Sequence, residues 1–182
     1  MSSTLHARSA AAYEQFMGRW SRKLSKPFIH FSAIGNGTSV LDVGCGTGSL
    51  AFSLSENLSL KWIVGVDMSE VYLDAARSNN HDERITFQNS DVTELPFETG
   101  SFDASLSMLV LQFVPETDRA ISEMRRVVRS HGTVAAAVWD SYGGMPAHRM
   151  FWDAAYALGF GADKDLREFY FRPMTGANEL RD

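Results

Sequence analysis

The chain has 182 residues, of which 45% are hydrophobic, and this is enough for one globular domain with a sizeable core. Its net charge of -5 gives no electrostatic reason to expect nucleic acid or an anionic membrane as a partner. A single cysteine excludes an internal disulfide, no cluster of metal-ligand residues is present, and neither a signal peptide nor a membrane-spanning run is recognisable, so we expect a soluble cytoplasmic protein.

The N-terminal part of the chain is predicted to be helical. Apolar side chains at helical spacing predict a helix over residues 3–24, and Pro27 indicates the start of a second, short helix. A turn is predicted at residues 36–37, which are Asn and Gly. The apolar run SVLDV, residues 39–43, is typical of a buried parallel strand, and a helix over residues 49–57 follows it.

The rest of the chain alternates strands and helices. Strands are predicted over residues 62–67, 85–88, 102–109 and 133–139, and helices over residues 70–79 and 115–128. Ser69 is the expected N-cap of the first of these helices, and His131-Gly132 predicts a turn before the last strand. This alternation implies an α/β, doubly wound, mainly parallel sheet with helices on both faces. Ligands in such sheets bind at the carboxyl ends of the strands.

A glycine-rich loop follows the first strand. The sequence VLDVGCGTGSL, residues 40–50, has glycines at positions 44, 46 and 48. Glycines there allow a close turn from strand to helix and let a ligand lie against the backbone. The loop that binds a nicotinamide dinucleotide has the spacing G-x-G-x-x-G/A, whereas residue 49 is Ser. The spacing therefore argues against a dehydrogenase without excluding one.

Three carboxylates lie at or near the ends of the first three strands: Asp42, Asp67 and Asp91. An acid at one strand end is often only a helix cap or a turn residue. The same placement on three successive strands favours a shared ligand site. Asp67 follows the glycine loop by about one strand-helix unit, which suits a carboxylate that accepts from both hydroxyls of a ribose.

The segments DVGCGTG, VGVDMSE, NSDVTELPFETGSFD and LSMLVLQFVPE, in this order between residues 40 and 139, resemble the class I S-adenosylmethionine-dependent methyltransferases. The N-terminal YEQFMGRWSRKL is similar to a segment that precedes this domain in a bacterial branch of small-molecule methyltransferases. The resemblance implies a Rossmann-like fold, S-adenosyl-L-methionine as cofactor and transfer of a methyl group to a small-molecule acceptor. It identifies neither the acceptor nor a catalytic residue.

The resemblance also implies roles for individual residues in holding the methionine and ribose parts of the cofactor. Asp42 and the glycine loop would border the methionine part. The loop residues concerned are Gly44, Cys45, Gly46 and Gly48. Asp67 would bind the ribose hydroxyls. Cys45 is not expected to act as a nucleophile, because no histidine lies nearby in the sequence to activate it.

Further roles concern the adenine, the sulfonium and a lid. Met68 would pack on the adenine ring, Asp91 would accept from its amino group, and the backbone N–H of Val92 would donate to a ring nitrogen. Ser107 would lie near the sulfonium. Tyr13 and Trp20 would form part of a lid over the cofactor, and the alternative for both is packing of an ordinary amphipathic helix.

The resemblance divides the chain into an N-terminal helical lid segment (1–36), a cofactor-binding core (37–140) and a C-terminal helical segment (141–182). Members of the family have seven strands in the order 3-2-1-4-5-7-6, and five are evident here, so we expect a chain truncated at its C-terminus. The fifth strand would then be an uncharged edge, which we expect a second copy of the chain to cover, either by strand pairing or by packing of the C-terminal segment, residues 147–171. A cofactor-binding protein without turnover is the alternative to an active methyltransferase.

Overall fold

A five-stranded sheet forms the centre of the computed structural model, which describes residues 9–140 and 145–160. The strands are β1 (Ser39–Val43), β2 (Trp62–Asp67), β3 (Ile85–Asn89), β4 (Phe102–Met108) and β5 (Val128–Ala137). Every pair is parallel, in the order β3-β2-β1-β4-β5. This confirms the predicted α/β, Rossmann-like sheet with five parallel strands.

The chain divides into two compact units between Ala137 and Val138. The helices of the first unit are α1 (Ala10–Tyr13), α2 (Arg19–Ser32), α3 (Ser49–Asn57), α4 (Glu70–Asn79) and α5 (Thr117–Arg126). A π-helical segment, Glu14–Gly18, joins α1 to α2. The second unit contains α6 (Pro146–Ala157). Among the described residues, no helix combines the length and apolar character that crossing a membrane requires.

The position of β1 at the centre of the sheet explains why its sequence does not alternate between apolar and polar residues. All five residues of β1 are buried, because the strand lies between β2 and β4 and both faces of a parallel sheet are covered. The predicted bounds of β1, α3 and β2 are confirmed. The predicted cap of α4 is also confirmed, since Ser69 Oγ accepts from the backbone N–H of Tyr72 at 3.4 Å.

Helix α2 continues through Pro27, where the sequence predicted that a second helix begins. Its buried side chains form one continuous helical face, made of Ser21, Ser25, Phe28, Ile29 and Ser32. Ser25 Oγ lies 3.3 Å from Ser49 O, so this face meets the start of α3. Packing along the whole face offsets the cost of about 3 kcal/mol that proline brings to a helix interior. The prediction of two helices is therefore wrong.

Strand β5 begins earlier than predicted, and the expected turn at residues 131–132 is a bulge inside it. Phe102 of β4 pairs with Val128, but Ala104 pairs with Thr133. A Cβ on the glycine of this bulge would lie 2.5 Å from a carbonyl oxygen of β4. Glycine and a left-handed residue suit a turn and a bulge equally, so the sequence alone does not separate the two.

Candidate functional site

The glycine loop is fixed to the end of the neighbouring strand by its backbone. The N–H groups of Gly44 and Cys45 both donate to Val66 O, at 2.8 and 2.9 Å. Gly44 has φ 74°, and a Cβ there would lie 2.5 Å from Val110 Cγ2. The loop after β1 is therefore packed directly against the loop after β4, which only a residue without a side chain permits.

The other two loop glycines have different surroundings. Gly48 precedes α3 with φ 90°, and a Cβ there would lie 2.7 Å from the Phe52 ring. Gly46 faces a more open space, because the nearest heavy atom to its would-be Cβ is the Tyr13 hydroxyl oxygen at 3.8 Å. Gly46 is itself buried, but the backbone there has room beside it, at the carboxyl edge of the sheet where the sequence places the site.

Asp67 connects the glycine loop to the start of α4. Its Oδ2 accepts from Gly46 N at 2.9 Å, and its Oδ1 accepts from Ser69 N at 2.9 Å. Burial raises the pKa of this carboxyl, and the backbone N–H groups of Ser69, Gly46 and Met68 oppose the rise. Each carboxylate oxygen has a second lone pair, so Asp67 retains capacity for two further donors.

Asp42 is a buried carboxyl with an unsatisfied oxygen. The residue is 1% exposed, and no donor among the described residues reaches its Oδ2. Burial, together with the charge of Asp67, raises its pKa to about 7, against a partial opposing effect of the Ala51 backbone N–H. A buried acceptor without a partner is unfavourable, so the position suits a donor group of a bound ligand.

The N-terminal segment reaches the glycine loop through Tyr13, one of the predicted lid residues, and through Glu14, which the sequence did not single out. Glu14 accepts from the hydroxyl of Thr47 in the loop and from the guanidinium of Arg22. Beside it, the ring of Tyr13 lies 4.9 Å from that of Tyr72 on α4, centroid to centroid. Tyr13 and Thr47 are far apart in sequence from their partners, so no local pattern indicates these contacts.

The residues predicted to hold an adenine lie near the ends of β2 and β3. The Met68 side chain is 51% exposed, and its carbonyl accepts from Asn89 Nδ2 at 3.0 Å. Asp91 Oδ1 accepts from the backbone N–H and the hydroxyl of Thr93, at 2.8 and 2.7 Å. Asp91 therefore stabilises a turn, which is the structural role that the sequence left open as the alternative to ligand binding. The Val92 side chain is buried.

Three other predicted side chains are engaged elsewhere. Ser107 is fully buried and its hydroxyl donates to Val43 O at 3.0 Å, which joins β4 to β1. The Cys45 thiol is buried, which raises its pKa well above the usual range, and it packs against Gly65 of β2. Trp20 is 48% exposed, and the cations of the neighbouring Arg19 and Lys23 each lie 5.0 Å from the centroid of its ring.

The described residues around the glycine loop offer hydrogen-bond acceptors. No group of His, Cys, Asp and Glu in the described part of the chain is placed to hold a metal ion. The thiol of Cys45 is buried and neutral, so it does not present a nucleophile. What remains is a backbone loop with two neighbouring carboxyls, the buried Asp42 and the half-buried Asp67, both of which accept hydrogen bonds.

Comparison with known proteins agrees with this geometry. The family model described as "Methyltransferase domain" matches residues 41–136, more than half of the chain. The chain is 33% identical over 127 residues to malonyl-[acyl-carrier protein] O-methyltransferase of Erwinia pyrifoliae, covering 70% of this chain and 47% of the relative. It is 30% identical over 142 residues to demethylmenaquinone methyltransferase of Lactococcus lactis, covering 73% of this chain and 56% of the relative. The chain thus spans about half the length of these curated relatives.

Solved structures give the same result. The [4+2]-cyclase SpnF matches with a TM-score of 0.59 and 30% identity, covering 63% of this chain and 43% of that one. An S-adenosylmethionine-dependent methyltransferase from Mesorhizobium loti matches in fold with a TM-score of 0.59 and 24% identity, covering 64% of this chain and 53% of that one. The family model covers β1 to β5 together with the glycine loop, Asp67 and Asp91. The chain belongs to the class I S-adenosylmethionine-dependent methyltransferase family.

Proposed function

We propose that this chain binds S-adenosyl-L-methionine and transfers its methyl group to a small-molecule acceptor. The observation that carries the proposal is the placement of Asp42 and Asp67 on either side of the glycine loop. Asp67 retains lone pairs beyond its bonds to Gly46 and Ser69, and Asp42 has an oxygen without a donor. A ligand with a vicinal diol and an amine supplies donors for both positions.

The roles proposed for individual residues follow from these positions. Asp67 accepts from the ribose hydroxyls, and Asp42 and the loop from Gly44 to Gly48 border the methionine part. The exposed Met68 side chain packs on the adenine ring. Asp91 and the backbone N–H of Val92 contact the polar edge of the adenine.

The chemistry requires little of the protein beyond binding. When bound, the cofactor supplies an electrophilic methyl group on a sulfonium, which a nucleophile displaces in line. The chain has to hold the acceptor close and aligned and to exclude water. A general base is needed only where the acceptor does not readily lose its proton.

The names of the relatives do not agree on one acceptor. One is a malonyl-[acyl-carrier protein] O-methyltransferase and another a demethylmenaquinone methyltransferase. The first name specifies transfer to oxygen on a malonyl-[acyl-carrier protein], and the second names a different acceptor, demethylmenaquinone. For this chain we therefore propose only an acceptor of the small-molecule class.

A second candidate function is cofactor binding without methyl transfer. It is supported by the similarity to SpnF, whose name describes a [4+2]-cyclase although its fold is shared with methyltransferases. In that case the cofactor site would be retained and a different reaction, or assembly with another protein, would be the function.

Calorimetry and a transfer assay separate these possibilities. Titration of the full chain with S-adenosylmethionine and with S-adenosylhomocysteine should give saturable heats. Absence of binding contradicts both candidate functions. A transfer assay with tritiated methyl donor and metabolite extracts then follows, in which label moves to an extractable product if the chain is a methyltransferase. Binding without any labelled product favours the second candidate.

We also propose that two copies of the chain associate through β5. Among the described residues this strand pairs only with β4, and Val134 on it is 41% exposed. Its C-terminal half, residues 133–137, carries no charge that would discourage pairing with another strand. Light scattering over a dilution series should show a concentration-dependent dimer, whereas a monomer at every concentration contradicts the proposal.

A further inference from the structure

Gln112 lies in the loop that follows β4, next to the candidate cofactor site. It belongs to a short 3-10 helix, Leu111–Phe113. Two residues earlier, the Val110 side chain occupies the space that a side chain on Gly44 would need. The loop that contains Gln112 is therefore in direct contact with the glycine loop, at the carboxyl edge of the sheet.

The orientation of the Gln112 amide is determined by its surroundings. Its Nε2 donates to Leu109 O at 2.9 Å. Because a carbonyl oxygen only accepts, the nitrogen rather than the oxygen of the amide must face Leu109. Leu109 itself is held in a left-handed conformation, with φ 65°, and its N–H donates to Ala137 O at 2.6 Å. The amide is thus anchored to a rigid part of the backbone.

The other end of the amide has no partner. Gln112 is 5% exposed, and among the described residues no donor reaches its Oε1. A buried acceptor in this state is rare in native proteins, which satisfy nearly all such atoms with protein, water or ligand. Asp42 Oδ2, at the end of β1, is in the same state. Two unsatisfied acceptors therefore occur beside the same pair of loops.

The chemistry of this position limits the ligand that it accepts. An amide oxygen accepts a hydrogen bond but does not take up a proton at ordinary pH, so Gln112 can bind and orient but not act as a base. Residues 104–115, which form the part of β4 after Asp103 and the loop that follows the strand, contain no charged side chain. These residues would therefore supply no opposite charge to an ionised methyl acceptor.

We propose that Gln112 Oε1 accepts a hydrogen bond from an uncharged hydroxyl or N–H of the methyl acceptor and so selects acceptors that carry such a donor. This inference rests on the proposed function, because it places the acceptor beside a bound cofactor. It narrows the small-molecule class to neutral molecules with an apolar body and a donor near the methylated atom.

The test compares two probes, 2-naphthol and 2-methoxynaphthalene, which share an apolar body and differ in the O–H. Their binding to the full chain saturated with S-adenosylhomocysteine is measured by ligand-observed NMR. We expect wild type to bind 2-naphthol at least about fivefold more tightly. Gln112→Met has a similar volume and no accepting oxygen, so the preference should fall to about one. Gln88→Met, the same change at an exposed position on β3, should retain it.

Each outcome bears on the proposal. Equal binding of the two probes by wild type, or an unchanged preference in Gln112→Met, overturns the role of Gln112. If wild type does not bind S-adenosylhomocysteine by calorimetry, both the proposed function and this inference fail. If Gln112→Met does not fold, Gln112→Asn decides. Its shorter side chain keeps an amide but withdraws the oxygen from the position of Oε1, so the preference for 2-naphthol should fall, and an unchanged preference contradicts the role of Gln112.

Discussion

Asp67 combines two tasks in one side chain. It fixes the glycine loop and the start of α4 through Gly46 and Ser69, and it is the residue proposed to bind a ribose. A carboxylate already oriented by two backbone donors loses little freedom when a ligand binds. This preorganisation makes its contribution to binding measurable in a single variant.

We predict that Asp67→Ala weakens binding of S-adenosylhomocysteine by about 1–3 kcal/mol, because two charge-assisted hydrogen bonds are lost. Isothermal titration calorimetry measures the effect. Asp74→Ala is the matched control, since Asp74 is an exposed acid on α4 that pairs with Arg77. An affinity of Asp67→Ala equal to that of the control contradicts the proposed role.

Asp42 should make stability depend on pH. Its pKa is about 7 in the folded chain and 3.8 in the reference state, so between these values the folded chain binds the proton more strongly than the unfolded chain does. The stabilisation is complete at low pH and is lost as pH rises through about 7. Asp42→Asn removes this dependence.

Urea unfolding of wild type and Asp42→Asn between about pH 5 and pH 8 tests this. As pH rises, the free energy of unfolding of the variant should increase relative to that of wild type by up to about 1.4 kcal/mol per pH unit. The contribution of Asp67, whose pKa is also raised, is common to both proteins. A difference between the two that stays constant with pH would show that Asp42 does not titrate in this range.

At the scale of elements, the turn from β1 into α3 depends on a glycine for two separable reasons. Gly44 has φ 74°, and it also makes room for Val110. Gly37 has nearly the same φ, 75°, but nothing lies within 4 Å of its would-be Cβ. The two positions therefore separate backbone strain from steric crowding.

We predict that Gly37→Ala lowers the free energy of unfolding by about 1–2 kcal/mol, the cost of a left-handed residue. Gly44→Ala should lose a further ~1–3 kcal/mol, because the branched Val110 side chain has few rotamers with which to move away. Urea denaturation gives both values. Equal losses in the two variants would mean that the loop after β4 moves away from the new side chain without a loss of stability.

The elements also show where local sequence patterns are sufficient. The bounds of β1, α3 and β2 follow from apolar runs, glycine and capping residues, which act over a few neighbours. Pro27 within α2 and the bulge at residues 131–132 in β5 do not follow, because packing against α3 and pairing with β4 decide them. Local conformational propensity is overridden where a long-range contact contributes more to the free energy of folding.

For the whole molecule, cofactor binding should appear as thermal stabilisation. A ligand present at about 100 times its dissociation constant adds about 2.7 kcal/mol, which for a chain of this size raises Tm by roughly 5–11 °C. We expect this shift with S-adenosylhomocysteine in differential scanning fluorimetry. NAD at the same concentration should give none, because the glycine spacing does not fit a pyrophosphate loop. A larger shift with NAD would contradict the assignment of the cofactor.

The order of strands and helices, the glycine loop and the acids at the strand ends were predictable from the sequence by itself, because each depends on residues that are close in the chain. Only the tertiary structure shows that Asp42 and Gln112 are buried with unsatisfied oxygens and that Glu14 binds Thr47. Those features depend on side chains brought together from distant segments. The sequence thus predicted a cofactor site after the first three strands, and the folded chain decided which of the buried oxygens there remain without a donor.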